Sequence, residues 1–288
     1  MLAYPLVEAE REWTVPLKNW QKISQAVVAM FKKLLTATFI HLPGVGEKKE
    51  MTWWRMGITS WEKWLQECIL GRLEQARDDW RKLIEDSITA LAERNAHFFA
   101  GMLPKEQYWR CYRDFQDSTV FLDIETTGMG ENDHVTVVGI YDGCHYKTFI
   151  RGYNMWELVE ELHGKAIAVT FYGSRFDIPF LRRHFPSIHI PPIHIDLCYL
   201  MRRLGYKGGL KAVERQLGIV REQEIEGLCG WDAVRLWNEY ERYGDEDALA
   251  LLIKYNKADT VNLKPLMEFA YNEMAHRLWL CAMQGWDF

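Results

Sequence analysis

Asp123 and Glu125 lie two residues apart in the apolar run Val120-Phe121-Leu122-Asp123-Ile124-Glu125-Thr126-Thr127-Gly128. With Asp177 and Asp259 they form a set of four acids whose sequence settings let all four point into one site. The run reads as a strand closed by glycine. Side chains two apart on a strand share a face, so the first two carboxylates project together while Leu122 and Ile124 pack behind them. Asp259 falls inside a helical pattern with apolar residues at Leu249, Leu252, Ile253 and Leu263, which makes Tyr255 and Asp259 i, i+4 neighbours on one helix face. Clustered carboxylates repel one another and are costly to desolvate unless cations compensate them. All-oxygen donors favour hard ions such as Mg²⁺ or Mn²⁺. Two such ions, about 3.5 to 4 Å apart, activate a water on one side and stabilise the leaving oxygen on the other, which suits phosphodiester hydrolysis. A lone Asp-x-Glu on a strand is more often a solvated face, and here its partners carry the signal.

Three ordered motifs hold these residues: Asp123-Ile124-Glu125-Thr126-Thr127-Gly128, then Tyr172-Gly173-Ser174-Arg175-Phe176-Asp177-Ile178-Pro179-Phe180-Leu181, then Tyr255-Asn256-Lys257-Ala258-Asp259-Thr260-Val261-Asn262-Leu263. Together they resemble the DnaQ-like 3′ to 5′ exonucleases of the ribonuclease-H-like fold, the DEDD superfamily. Gly208-Gly209-Leu210-Lys211-Ala212-Val213-Glu214 and the stretch from Trp231 to Leu236 are similar to its YprB-like branch, and the resemblance spans roughly 118–271. It implies that Asp123 bridges both ions, that Glu125 and Asp259 complete the ion binding the attacking water, and that Asp177 supports the second ion. It further implies that Tyr255 orients the water, the tyrosine type; the sister subfamily has His one residue earlier, at the position of Lys254. Family members commonly carry Asn where this chain has Tyr172. Asp196 is expected to cap or support rather than ligate. Thr126 and Arg175, beside the acids, are candidate nucleic-acid contacts.

Ahead of these motifs, Phe39-Ile40-His41-Leu42-Pro43-Gly44-Val45-Gly46-Glu47-Lys48 resembles the hairpin of helix-hairpin-helix modules, within about 39–65. A helix start there would offer backbone N–H groups and the positive end of the helix dipole to a phosphate, with Gly44 and Gly46 permitting close approach and Lys48 adding charge. A Gly-rich turn also serves as a plain packing corner. A Thr59-Ser60-Trp61-Glu62 capping box is expected to open a further helix.

The elements that must position the acids follow from period changes. Residues 15–40 and 61–99 are helix-like, and 102–117 reads as a linker. Strands are expected at 120–127, 135–141, 146–150 and 166–171, with Asp142-Gly143 as the turn between the second and third. The fold expected is α/β, a ribonuclease-H-like domain with a central mixed sheet flanked by helices at 115–288, preceded by a mostly α-helical domain at 1–114.

At 288 residues and 48% hydrophobic, the chain has enough for one sizeable core and a smaller one. The net charge of −5 hides an asymmetry: 17 Lys and Arg against 16 Asp and Glu through Ser118, then 18 against 24. Four acids of that excess belong to the candidate metal site, where bound cations would reverse the local field. Substrate contact would rest on local patches such as Arg175, Arg182, Arg183, Arg202, Arg203, Lys207 and Lys211. The 13 Trp residues include candidates for stacking unpaired bases, although most large aromatics at helical spacing are core. Six scattered cysteines without a Cys-x-x-Cys pair indicate neither a zinc site nor a disulfide framework. Met1 to Glu10 lacks a basic stretch followed by an apolar core, and no run of 18 apolar residues occurs; a cytoplasmic protein without a membrane partner is expected. The activity expected is a two-metal 3′ to 5′ exonuclease on nucleic acid, weakly favouring DNA over RNA. An endonuclease on the same fold and a binding protein with a vestigial site are the alternatives.

Overall fold

The computed structural model describes residues 34–73 and 77–284. Contacts divide them into two units: residues 117–270 form one, and residues before 117 join those from 271 onward in the other.

In the latter unit, Leu35–Ala37 forms a single 3-10 turn; the rest of the helix expected at 15–40 lies almost wholly outside the described residues. The Pro43-Gly44 corner follows, with Gly44 at φ +78°, a conformation that L side chains rarely adopt. It leads into α1 (Glu47–Arg55), α2 (Trp61–Ile69), α3 (Asp78–Ala92) and α4 (Ala96–Met102). The cap of α2 is Ser60, which accepts from the Lys63 N–H; the expected box is displaced by one residue and Glu62 is not its partner. The expected linker is also corrected. Lys105–Cys111 is a 3-10 helix, and Trp109, Arg110, Cys111, Tyr112 and Phe115 are buried. The reason is Arg110, whose Nη1 donates to both Glu50 carboxylate oxygens at 3.0 and 2.9 Å. Glu50 also accepts the Phe39 N–H at 2.6 Å, so a fully buried ion pair fixes a segment whose charges resemble those of a linker.

The first unit is built on five strands, β1 (Thr119–Thr126), β2 (Val135–Tyr141), β3 (Tyr146–Ile150), β4 (Ile167–Thr170) and β5 (Ile193–Asp196), in the order β3-β2-β1-β4-β5. β1 pairs antiparallel with β2 and parallel with β4, β2 pairs antiparallel with β3, and β4 pairs parallel with β5. This is the expected mixed sheet, and the acid-bearing strand is its middle. The turn after β2 is wider than expected: Tyr141 pairs with Tyr146, and Asp142 Oδ1 accepts the Cys144 and His145 N–H groups. Parallel neighbours require crossovers, supplied by α5 (Leu158–Leu162) and α6 (Asp177–His184). Beyond β5 come α7 (Leu197–Arg203), α8 (Leu210–Gln216), α9 (Gln223–Glu226), α10 (Gly230–Tyr243) and α11 (Glu246–Val261), then α12 (Leu263–Gln284), whose residues from 271 onward belong to the other unit.

The alternation along β1 sorts the two faces. Val120, Leu122 and Ile124 pack with Val138, Ile140, Leu158 and Leu181 on one side. Val137 packs with Trp237, Leu249, Leu252 and Tyr255 on the other, the side to which Asp123 and Glu125 project. Each fully buried Leu or Ile in these clusters stabilises the fold by about 1.5 to 3 kcal/mol. Among the described residues, no helix is long and apolar enough to cross a membrane.

Candidate metal centre

Asp123 faces Gly139 across the β1–β2 pair. A Cβ on Gly139 would come within 2.3 Å of both Asn256 Oδ1 and Thr260 Oγ1, so the absence of a side chain lets α11 lie directly on the sheet beside the acids. Asn256, fully buried, donates through Nδ2 to Asp123 Oδ2 at 2.9 Å and lies 3.4 Å from Glu125 Oε1. Tyr146 in turn donates its hydroxyl to Asn256 Oδ1 at 2.9 Å, fixing the amide so that its NH₂ faces the carboxylates. One turn on, Asp259 joins them: Asp123, Glu125 and Asp259 each offer a carboxylate oxygen within 4.8 Å of the others.

Asp177 opens α6 and lines the same cleft of about 410 Å³, along with Thr126 and Tyr255, but falls outside that tight trio. Its position depends on the turn before α6. Asp196 accepts the N–H of Tyr172 at 2.8 Å and of Ser174 at 3.0 Å, and caps α7 through the Cys198 N–H at 3.0 Å. Asp196 is thus a clamp on the second motif. Tyr172 sits at φ +68°, a region Asn enters more readily than Tyr, and the Asp196 clamp accounts for the turn's survival without the Asn. Of the remaining candidates, Arg175 is exposed and its Nε donates to the Tyr199 hydroxyl at 3.4 Å. Gly44, Gly46 and Lys48 are exposed at the start of α1 in the other unit.

The electrostatics follow from crowding. Burial first, then the Asp259, Glu125 and Asp177 carboxylates, hold Asp123 well above the usual carboxylate range. Glu125 is raised in the same way, by burial and then Asp259. Burial pushes Asp177 up to about 7, opposed by its own N–H and that of Ile124. Burial also raises Asp259, opposed chiefly by Arg221 and then Lys211. Burial, then Asp259, Glu125 and Asp123, drives the Tyr255 phenol far above its ordinary value, so it stays protonated. Excess negative charge on oxygen donors, with no His or Cys in the trio, fits a hard divalent cation.

Two cations stand at the site, of which a reading of the sequence singles out Lys211, as a motif and patch residue, and misses Arg221. Lys211, whose sequence setting suggests surface charge, is half-buried, donates to the Tyr255 hydroxyl at 2.9 Å and lies 4.2 Å from the centre of its ring. Arg221 pairs with Asp259 and, at 2.6 and 2.7 Å, with both oxygens of Glu214. The contacts of neither have a local signal in sequence, since each reaches the site through tertiary folding, and Arg221 lies in no motif. The third-motif Asn256 was visible but its bonds were not.

The family model of the RNase H superfamily matches residues 120–271, more than half of the chain and the whole of this site. The chain belongs to that superfamily. A solved structure, Brucella melitensis NrnC bound to pGG, is similar over 58% of this chain and 83% of that chain, with 19% sequence identity and a TM-score of 0.37. No curated protein matches significantly. Superfamily membership and the buried acidic cluster support a nuclease.

Proposed function

We propose that this protein is a metal-dependent 3′ to 5′ exonuclease of the DnaQ-like, tyrosine type, hydrolysing phosphodiester bonds of nucleic acid to nucleoside monophosphates. The observation that carries the reading is the convergence of Asp123, Glu125 and Asp259 within 4.8 Å, in a cleft that Tyr255 and Asp177 also line. Asp123, Glu125 and Asp259, with Asp177 beside them, would hold two Mg²⁺ or Mn²⁺ ions. Bound there, the ions would supply an activated water and charge stabilisation for the leaving oxygen. The chain's own residues do the rest. Asn256 holds Asp123 in place, and Lys211 holds the Tyr255 hydroxyl, which stays protonated and so directs a water rather than removing its proton. Met129, Tyr172 and Trp231 line the cleft and are exposed, offering surfaces against which a terminal base can lie.

In the N-terminal unit, the exposed Gly44, Gly46 and Lys48 at the start of α1 are read as a phosphate contact of helix-hairpin-helix type, which favours DNA. Thr126 and Arg175 complete the nucleic-acid contacts of this reading. End-labelled single-stranded DNA and RNA, incubated with Mg²⁺, Mn²⁺ or EDTA and resolved on a sequencing gel, provide the test. A ladder shortening from the 3′ end, abolished by EDTA, is expected. Cleavage of circular DNA would replace this reading with an endonuclease, and absence of metal-dependent turnover would leave a binding protein.

A further inference from the structure

Arg221 is only 4% exposed at its side chain, yet it meets two acids from different elements. On one side, its Nε and Nη2 make a two-pronged contact with Glu214, at 2.6 and 2.7 Å, and Asn262 Nδ2 holds Glu214 Oε1 at 2.9 Å. On the other side its Nη1 pairs with Asp259. Glu214 is itself buried, with a side chain 2% exposed. A guanidinium gripped this way has little rotamer freedom left and cannot swing to solvent without stranding Glu214. The acids of the site are therefore served by a cation that is part of the chain.

We propose that Arg221 is a positioning residue and resident counter-ion of the metal centre, held by Glu214. It compensates and aims Asp259 before an ion binds, and it lowers the site's affinity for that ion because both draw on the same carboxylate. This rests on the reading of the acidic cluster as a metal centre. Arg221 and Glu214 then act in opposite senses. Glu214 takes up part of the guanidinium's charge, and removing Glu214's charge directs all of it to Asp259. A purely structural Arg221 makes no such paired prediction.

Mn²⁺ binding is measured by calorimetric titration without substrate, alongside thermal unfolding in EDTA, for the full chain and three variants. Arg221→Met is expected to melt earlier in EDTA, because Asp259 and Glu214 lose their partner, and to bind Mn²⁺ about tenfold more tightly. That is a modest share of the repulsion between the unit charge of Arg221 and a divalent cation a few ångströms apart at an effective dielectric of about 20. Glu214→Gln, close in shape, is expected to weaken Mn²⁺ binding by about the same factor. Arg221→Lys, which keeps the charge, is expected to return affinity towards wild type. Unchanged Mn²⁺ affinity in Glu214→Gln, or a shift in the same direction as Arg221→Met, overturns the proposal; if Arg221→Met does not fold, Glu214→Gln decides alone. Asp123→Ala separates the two readings: wild-type protein that binds no more Mn²⁺ than this variant means the metal centre itself is wrong. A difference there with no opposed shifts removes only Arg221's role.

Discussion

Asn256 Nδ2 lies 2.9 Å from Asp123 Oδ2 and 3.3 Å from the Asp123 carbonyl oxygen, so one amide ties α11 to both the backbone and the side chain of the central strand. This tether sets how closely the third-motif acid approaches the first, and Gly139 makes room for it. Gly139→Ala is expected to push α11 outward. Overpacking of this kind costs about 1 to 3 kcal/mol of stability, and Mn²⁺ affinity should fall with it because the trio spreads. Chemical denaturation and metal titration check both effects; a stable variant with wild-type affinity would show that α11 is not positioned here.

Asp123→Ala is expected to abolish turnover while raising the melting temperature in EDTA, since one of several crowded, buried carboxylates is removed. Retention of more than about a tenth of wild-type activity, a barrier change of only about 1.4 kcal/mol, would exclude Asp123 from the proposed metal centre. Scanning calorimetry with and without Mn²⁺ supplies the second half of the test.

The raised acids make metal-free stability depend on pH with a definite sign. A carboxyl whose pKa is higher in the folded protein than in the unfolded chain favours folding when protonated. Its contribution is fully present below the ordinary carboxylate value and is lost as pH rises through the folded value. Asp123, Glu125 and Asp259 are all raised, and Asp177 stands at about 7. In EDTA the melting temperature should therefore fall between about pH 4 and pH 8. Saturating Mn²⁺ should flatten the decline, because the ion replaces protons as the compensating charge. A melting temperature in EDTA that rises across this range would contradict the assignment.

How far the sequence foretold this site depends on the range of the interactions concerned. Asp123 and Glu125 were legible because strand alternation is local, and Tyr255 and Asp259 because a helix repeats every 3.6 residues. The strands at 120–127, 135–141 and 146–150 were readable for the same reason, their apolar runs being bounded by turn residues. The burial of 107–112 was not, since it depends on Arg110 meeting Glu50 across 60 positions. Arg221 was hidden likewise, and although Lys211 and Glu214 stand in the motif at 208–214, their partners were not legible: charged residues on short helices and loops resemble solvated surface until the fold brings them to Tyr255 and Arg221. Tyr172 raised a question that only Asp196, across the β4–β5 edge, could answer.

The Pro43-Gly44 turn before α1, in its proposed role as a phosphate contact, gives a binding prediction separate from the chemistry. Replacing Gly44 and Gly46 by bulkier residues, or Lys48 by Gln, should weaken affinity for single-stranded DNA. It should also reduce the salt slope by about 0.7 for each phosphate that the protein no longer neutralises. The maximal rate on a saturating short substrate should stay near wild type. Fluorescence anisotropy across a salt series measures this, and an unchanged slope would leave the Pro43-Gly44 turn as a packing corner.

Tyr255 is 5% exposed, one helical turn before Asp259, with its hydroxyl accepting from Lys211 Nζ at 2.9 Å. A phenol kept protonated by burial and by three neighbouring carboxylates cannot serve as the base at neutral pH. What it can do is fix the direction of a water through one hydrogen bond, held in register by Lys211. Tyr255→Phe should therefore preserve fold, Mn²⁺ affinity and KM while lowering kcat by about 10 to 10³-fold, the scale of losing one preorganised hydrogen bond expressed in the transition state. The competing account is packing: Tyr255 belongs to the cluster with Val137, Leu249 and Leu252, and a phenyl ring would fill that space equally well. Single-turnover rates on a short 3′-labelled substrate separate the two. A rate within about twofold of wild type, at unchanged thermal stability, would assign Tyr255 to the core and leave the direction of water attack to the carboxylates alone.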